Sequence, residues 1–124
     1  MKEVIAVVRM NKMNRTKEAL TREGINAFFA HEVQGRGKGL VDESLLQGAE
    51  QGIPEAISLL GEHGKLYPKR MVTVVVPDSQ VRKVVRVLME VNSTGSRGDG
   101  KIFVLPLSDA ARIRTEETGE AAIA

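Results

Sequence analysis

Three glycines within six residues give the stretch 94–101 the composition of a loop that cradles an anion. Glycine lets backbone N–H groups come close to a phosphate, and Arg97 and Lys101 add positive charge. The spacing superficially fits a Walker A loop, but Ile102 replaces the Ser or Thr that would hold magnesium, and a helix precedes the stretch where a P-loop has a strand. The stretch therefore predicts phosphate binding outside the P-loop class, with a plain glycine-rich turn as the alternative.

Further basic residues could complete such a cradle. Arg112 and Arg114 are two apart in a segment predicted to be extended, so both can point to one anion, or can instead pair with nearby glutamates at the surface. The run 35–39, Gly-Arg-Gly-Lys-Gly, repeats the pattern of the first loop, although a flexible hinge has the same composition. Lys69 lies where the chain returns to a strand. It could add its charge to the cradle, or, as a lone lysine, it could face solvent.

Composition and spacing exclude several classes of function. The 124 residues hold 18 Lys and Arg against 16 Asp and Glu, which is not the basic excess of a general nucleic-acid binder. Cysteine is absent, and His31 and His63 have no spaced ligand partners, so neither thiol chemistry nor a side-chain metal site is predicted. No Ser/His/Asp group or catalytic carboxylate pair stands out. We expect a single cytoplasmic domain, residues 1–124, without nucleic-acid partner, membrane insertion or enzymatic activity.

Hydrophobic periodicity predicts the elements that must position these residues. Runs of β-branched residues predict buried strands, and the apolar residues from Val81 to Leu88 recur at helical spacing. The predicted elements are, in order, a strand at 4–8, a helix at 11–23, a strand at 28–33, a strand at 71–76, a helix from its N-cap Asp78 to about 94, a strand at 102–105 and a polar tail at 107–124. This order predicts an α+β fold, a ferredoxin-like βαββαβ sandwich with both helices on one face of an antiparallel sheet. The other face would be apolar and bare, which predicts a closed homo-oligomer.

The segment from Gln34 to Lys69 has no strong strand pattern and is longer than an ordinary loop in a compact domain. Pro54 can start a short helix whose apolar residues recur at helical spacing. These residues either dock onto a partner protein or fold back onto the core of their own chain. The candidate docking residues are Leu45, Leu46, Ile53, Ile57 and Leu60.

Taken together, these residues resemble the PII signal-transduction family along nearly the whole chain. The most specific matches are Thr94-Gly95-x-x-Gly98-Asp99-Gly100-Lys101 with the following strand and Pro106, and Arg112-Ile113-Arg114-Thr115. The resemblance implies a homotrimer of ferredoxin-like subunits that binds ATP or ADP in the clefts between subunits, with 2-oxoglutarate and Mg²⁺ beside ATP. These effectors would set the shape of a long T-loop, about residues 36–67 between the second and third strands, which docks onto target proteins.

The resemblance also assigns site residues by motif position. It assigns the nucleotide to Gly35, Gly37, Lys38, Gly98, Asp99, Gly100, Lys101, Arg112 and Arg114, with the last two reaching in from an adjacent subunit. The phosphate-binding loop would be about residues 94–101. It assigns 2-oxoglutarate to Lys69, Gly37, Lys38 and Gly39, with the Lys69 ammonium pairing with a carboxylate. No side chain is assigned to the metal.

Three positions depart from the common family pattern. Gln51 replaces the tyrosine that typical bacterial members carry for uridylylation, and Ala49 replaces a serine that some relatives phosphorylate, so neither modification is expected. Gly39 replaces a glutamine that coordinates Mg²⁺ and 2-oxoglutarate in many members. The affinity or geometry of that site is therefore expected to differ.

The length of the T-loop points to one branch of the family. Together with the segments 8–12, 68–71 and 90–92 it resembles the nitrogenase-regulating branch of archaea and some anaerobic bacteria. This implies a PII paralogue and the dinitrogenase component as partners, with inhibition of dinitrogenase relieved by 2-oxoglutarate. An ammonium transporter or glutamine synthetase as the target, and a small ATPase activity, are the alternatives.

Overall fold

The computed structural model describes residues 1–37 and 66–123. The elements are β1 (Lys2–Val8), α1 (Met13–Arg22), β2 (Phe29–Gly35), β3 (Tyr67–Val76), α2 (Val81–Asn92) and β4 (Lys101–Pro106). Short 3-10 turns at Met10–Lys12 and Asp78–Gln80 lead into the two α-helices. A further 3-10 turn, Gly119–Ala122, lies near the end of the chain.

The four strands form one antiparallel sheet in the order β2-β3-β1-β4. Successive residues of a strand point to opposite faces, and in β1 Val4, Ala6 and Val8 are buried under the helices while Ile5 and Val7 lie on the other face. Both helices pack on the first face and contact each other. The predicted α+β, ferredoxin-like class is confirmed.

The hydrophobic core lies between the helices and the inner face of the sheet. Leu20 of α1 and Val84 and Leu88 of α2 are almost completely buried against Val72 and Val74 of β3. Burying one such side chain contributes about 1.5–3 kcal/mol. The apolar stripe predicted for α2 is therefore the surface that holds this helix on the sheet.

A buried polar contact ties the end of α2 to α1. The Asn92 side-chain amide donates to Thr16 Oγ1 at 3.1 Å and to the Leu88 carbonyl at 2.9 Å. Thr16 Oγ1 in turn donates to the Lys12 carbonyl at 2.8 Å. Because Asn92 is the last residue of α2, this contact fixes the point from which the glycine-rich loop leaves the helix.

The face of the sheet away from the helices carries a row of side chains that crosses all four strands. Phe29 of β2 pairs with Thr73 of β3, which pairs with Ile5 of β1, which pairs with Phe103 of β4. Phe29 is 64% exposed and Phe103 50% exposed. Large exposed aromatics on one face of a sheet, here on its two outermost strands, mark a surface that another protein covers. The described residues thus agree with the apolar outer face predicted from the sequence.

Some element boundaries differ from the prediction. The predicted Asp78 N-cap is wrong, because Gln80 is the N-cap residue of α2 and Pro77 that of the preceding 3-10 turn, while Asp78 Oδ1 accepts from Lys2 Nζ at 3.1 Å. β3 begins at Tyr67 rather than Met71, since its polar first half pairs with β2. The helix predicted to run to about 94 ends at Asn92.

Candidate functional site

A cavity of about 450 Å³ opens at one end of the bare face of the sheet. Its walls come from the ends of β1 and β2, the starts of β3 and β4, and the glycine-rich loop between α2 and β4. Antiparallel pairing brings these four strand ends to the same edge of the sheet. The loop that the sequence singled out for phosphate binding therefore lies against a cavity rather than on a convex surface.

Six of the residues predicted to bind ligands line this cavity. They are Gly35, Gly37, Lys69, Gly98, Gly100 and Lys101. Val7, Arg36, Arg97 and Phe103 complete the lining. Among the described residues that line the cavity, four side chains are cationic and none is acidic, so this part of the lining has the charge that suits a polyanion.

Three glycines of the loop have positive φ angles, which side chains with a Cβ rarely adopt: +79° at Gly95, +90° at Gly98 and +116° at Gly100. Gly100 is also constrained by space, because a Cβ there would overlap the Val7 carbonyl oxygen. The loop can therefore pass this close to β1 only with glycine at position 100.

Asp99 organises the loop from inside. Its carboxylate accepts from Thr94 Oγ1 at 2.5 Å, from the Thr94 backbone N–H at 2.7 Å and from the Gly95 N–H at 3.1 Å. Arg9 Nη1 donates to Asp99 Oδ1 at 2.5 Å. The hydrogen bonds from the Thr94 hydroxyl and backbone N–H, followed by the contact with Arg9, hold the pKa of Asp99 far below its ordinary value. The carboxylate therefore stays ionised and is used by the loop itself.

Lys69 connects the loop to β3. Its Nζ donates to the Gly98 carbonyl at 3.3 Å, and its side chain is half-buried at the start of the strand. Lys101, the first residue of β4, pairs with Val7 of β1 and is exposed. The two lysines thus stand on different strands and line the same cavity beside the loop.

Arg112 and Arg114 do not line the cavity of their own chain. The extended conformation predicted for them is wrong, because residues 113–115 form a turn in which the Arg112 N–H donates to the Glu117 carbonyl at 2.8 Å. Arg112 Nη1 also lies 3.4 Å from Glu117 Oε1. Any role for these arginines in this cavity would have to come from another copy of the chain.

The other candidate residues fall outside the described ranges. Lys38, Gly39, Leu45, Leu46, Ile53, Ile57 and Leu60 all belong to the segment 38–65. Within residues 1–37 and 66–123, no group of three His, Cys, Asp or Glu side chains could hold a metal ion. In the same ranges no helix has the length and apolar character needed to cross a membrane.

Sequence reasoning missed two residues that shape the site. Arg9 follows β1 directly and carries no local pattern that announces a role, yet it contacts the loop at Thr94, Arg97 and Asp99. Phe103 was read only as part of a strand, yet it forms an apolar wall of the cavity. The alternation of β4 could have indicated that Phe103 shares a face with Lys101.

Comparison with known proteins decides the family. Residues 1–117 match the family model described as "Nitrogen regulatory protein P-II". The chain belongs to the PII family. The match confirms the predicted family. Members of this family are regulatory signalling proteins.

The similar PII proteins include several from archaea. A "Nitrogen fixation nifHD region GlnB-like protein 2" of Methanobacterium ivanovii is 46% identical over 99% of both chains. A protein of the same name from Methanothermococcus thermolithotrophicus is 45% identical over 99% of this chain and 98% of its own. These relatives confirm the predicted likeness to the nitrogenase-associated branch.

A solved PII structure shares the fold. The structure of Arabidopsis thaliana PII bound to citrate superposes with a TM-score of 0.73 at 31% identity, covering 98% of this chain and 88% of that one. The ligand of that plant protein is a small polycarboxylate.

Proposed function

We propose that this PII protein senses adenine nucleotide and 2-oxoglutarate in the cavity beside loop 94–101 and passes the signal to a target through its T-loop. The observation that carries the proposal is the convergence of Arg36, Lys69, Arg97 and Lys101 on a cavity bounded by a loop with three positive-φ glycines. Closely spaced cations and accessible backbone N–H groups are how proteins bind phosphate.

Lys101 and the glycine-rich backbone bind the phosphates of ATP or ADP in this proposal. Lys69 binds a carboxylate of 2-oxoglutarate, for which a dianion beside an ammonium is the natural pair. The lining that residues 1–37 and 66–123 provide has cations and no carboxylate, so Mg²⁺ would be held by oxygens of the ligands rather than by these side chains. The run from Gly35 to Gly37 lines the same cavity and leads directly into the T-loop, so a ligand there can bias the loop's conformation.

A homotrimer completes the site. The exposed Phe29 and Phe103 on the outer face need a covering surface, and copies of the chain can provide it symmetrically. A neighbouring copy would then bring its Arg112 and Arg114 to the phosphates, which accounts for their absence from the cavity of their own chain.

The target we propose is dinitrogenase, inhibited by the T-loop when 2-oxoglutarate is low. The support is the printed name of the archaeal relatives, which ties them to the nifHD region of nitrogen fixation. A PII paralogue as a second subunit type belongs to the same proposal.

Calorimetric titration of Mg-ATP into the protein and its Lys101→Ala variant tests the nucleotide site. Loss of a charge-assisted contact should weaken binding about 10-fold or more. Lys17→Ala is the matched control, because Lys17 is an exposed lysine of α1 on the helical side of the sheet and should bind as the parent does. Equal affinity of all three proteins would contradict the assignment.

A further inference from the structure

Arg9 makes more contacts with the glycine-rich loop than its place at the end of β1 would suggest. Its Nη1 donates to Asp99 Oδ1 at 2.5 Å and lies 3.5 Å from Thr94 Oγ1, and its Nη2 donates to the Arg97 carbonyl at 2.9 Å. Both terminal nitrogens of the guanidinium are therefore bonded to the loop. Arg9 is not among the residues that line the cavity, and the hydrogen bonds of its guanidinium go to the loop.

Asp99 passes this contact on to the backbone. Oδ1 binds Arg9 while Oδ2 accepts from the N–H groups of Thr94 and Gly95, so one carboxylate joins β1 to the first residues of the loop. The Arg9 and Asp99 side chains are each only 25% exposed, which strengthens the pair relative to a fully solvated one. Lys69 holds the Gly98 carbonyl from the other side.

The ion pair between Arg9 and Asp99 also neutralises a negative charge next to the proposed phosphate site. Asp99 is an ionised carboxylate within the loop that is proposed to bind phosphate, and it directly follows Gly98 and precedes Gly100 in the cavity wall. An unpaired negative charge there would repel a polyanion, and the repulsion would grow with the number of phosphate charges. Arg9 cancels that charge without occupying the cavity.

We infer that Arg9 is a positioning residue which, through Asp99, holds loop 94–101 in shape and neutralises it, so that preference for longer phosphate chains depends on a residue that does not touch the ligand. The inference rests on the proposed nucleotide site and adds the origin of its charge selectivity.

Binding of ATP, ADP and AMP to the Arg9→Met variant tests this role. We expect the ATP affinity to fall about 10-fold and the AMP affinity by less than about 2-fold, since a charge effect scales with phosphate charge. The double variant Arg9→Met/Asp99→Asn also removes the unpaired negative charge, so its ATP-to-AMP preference should return toward the parent's, although the Asn side chain holds the loop less firmly than the carboxylate. Arg86→Met, on the exposed side of α2, is the control and should change neither affinity.

Two results would overturn the inference. One is an Arg9→Met protein that keeps the parent's ATP-to-AMP preference, whether both affinities are unchanged or both fall equally. The other is a double variant whose ATP-to-AMP preference is no closer to the parent's than that of Arg9→Met. If Arg9→Met does not fold, as judged by circular dichroism, Arg9→Lys replaces it; a single ammonium cannot reproduce the guanidinium's two-nitrogen contact, and ATP affinity should fall by a smaller factor with the same dependence on phosphate number.

A ligand-free readout separates this inference from the nucleotide proposal. Hydrogen exchange at the Thr94 and Gly95 amides, both bonded to Asp99, should speed up in Arg9→Met and stay unchanged in Arg86→Met. If the parent binds no nucleotide but this exchange changes, the proposed function fails, while the conclusion that Arg9 holds the loop through Asp99 stands. Unchanged exchange in Arg9→Met contradicts that structural role of Arg9.

Discussion

Replacing Gly100 by alanine tests whether the loop must pass as close to β1 as the structure shows. The alanine at position 100 would have to adopt a backbone φ near +116°. Its Cβ would overlap the Val7 carbonyl oxygen and lie 3.1 Å from the Val7 carbonyl carbon. The backbone conformation alone costs about 1–3 kcal/mol. Relieving the overlap moves strand backbone rather than a flexible side chain, which adds about 1–3 kcal/mol. We expect Gly100→Ala to lose about 3–5 kcal/mol of the about 5–15 kcal/mol typical of a folded domain.

Gly95→Ala is the matched control within the same loop. Gly95 also has a positive φ, +79°, but a Cβ there would meet no heavy atom within 4 Å. Its cost should be only that of the left-handed backbone, about 1–2 kcal/mol. Urea unfolding followed by far-ultraviolet circular dichroism, at one protein concentration, measures both variants. Equal destabilisation of the two would refute the close approach to Val7.

Three further changes probe the assembly, the helix contact and the loop charge. Phe29→Glu should shift the proposed trimer toward monomers in light scattering. Met89→Glu should not, because Met89 is similarly exposed but lies on α2, on the helical side of the sheet. Equal behaviour of the two variants would contradict assembly through the bare face. Thr16→Val should cost about 1–3 kcal/mol in urea unfolding, because it leaves the buried Asn92 amide without one acceptor, and an unchanged midpoint would show that this contact is unimportant. The pKa of Asp99 lies below its ordinary 3.8, so the stabilisation that the ionised Asp99 carboxylate gives the loop is full above pH 3.8 and is lost only as the pH falls through the lowered pKa. Amide protection in the loop, corrected for intrinsic exchange rates, should therefore stay constant from about pH 7 down to pH 3.8. Loss of protection near about pH 5 would contradict the hydrogen bonds assigned to Asp99.

The fold follows from local patterns in the sequence. The β-branched run 71–76 and the apolar stripe of α2 each predict an element that the structure contains, because burial on both sides of a strand leaves a continuous apolar run and burial on one side of a helix leaves a periodic stripe. The order of these elements then leaves few topologies. The polar first half of β3 carries no such signal, since pairing with β2, not burial, makes it a strand.

From residue patterns alone the site could be predicted only where its residues adjoin each other in sequence, whereas the ligand roles of Gly35, Gly37 and Lys69 come from the resemblance to the PII family. The glycines of loop 94–101 predict an anion cradle locally, and their positive φ angles agree with that reading. Arg9 lies 90 residues from Asp99, so no local pattern can announce the pair. The two arginines of the C-terminal segment illustrate the opposite limit. The segment of Arg112 and Arg114 is predicted to be extended, which would point both arginines to one side, but the hydrogen bond from the Arg112 N–H to the Glu117 carbonyl closes a turn instead.

Titration of 2-oxoglutarate into the purified protein, with and without Mg-ATP, tests the central claim most directly. The cavity that holds Lys69 and Lys101 around one loop predicts binding of 2-oxoglutarate that appears only when Mg-ATP is present, and that Lys69→Ala removes while ATP still binds. Binding of ATP without any binding of 2-oxoglutarate would contradict the metabolite-sensing role of this cavity.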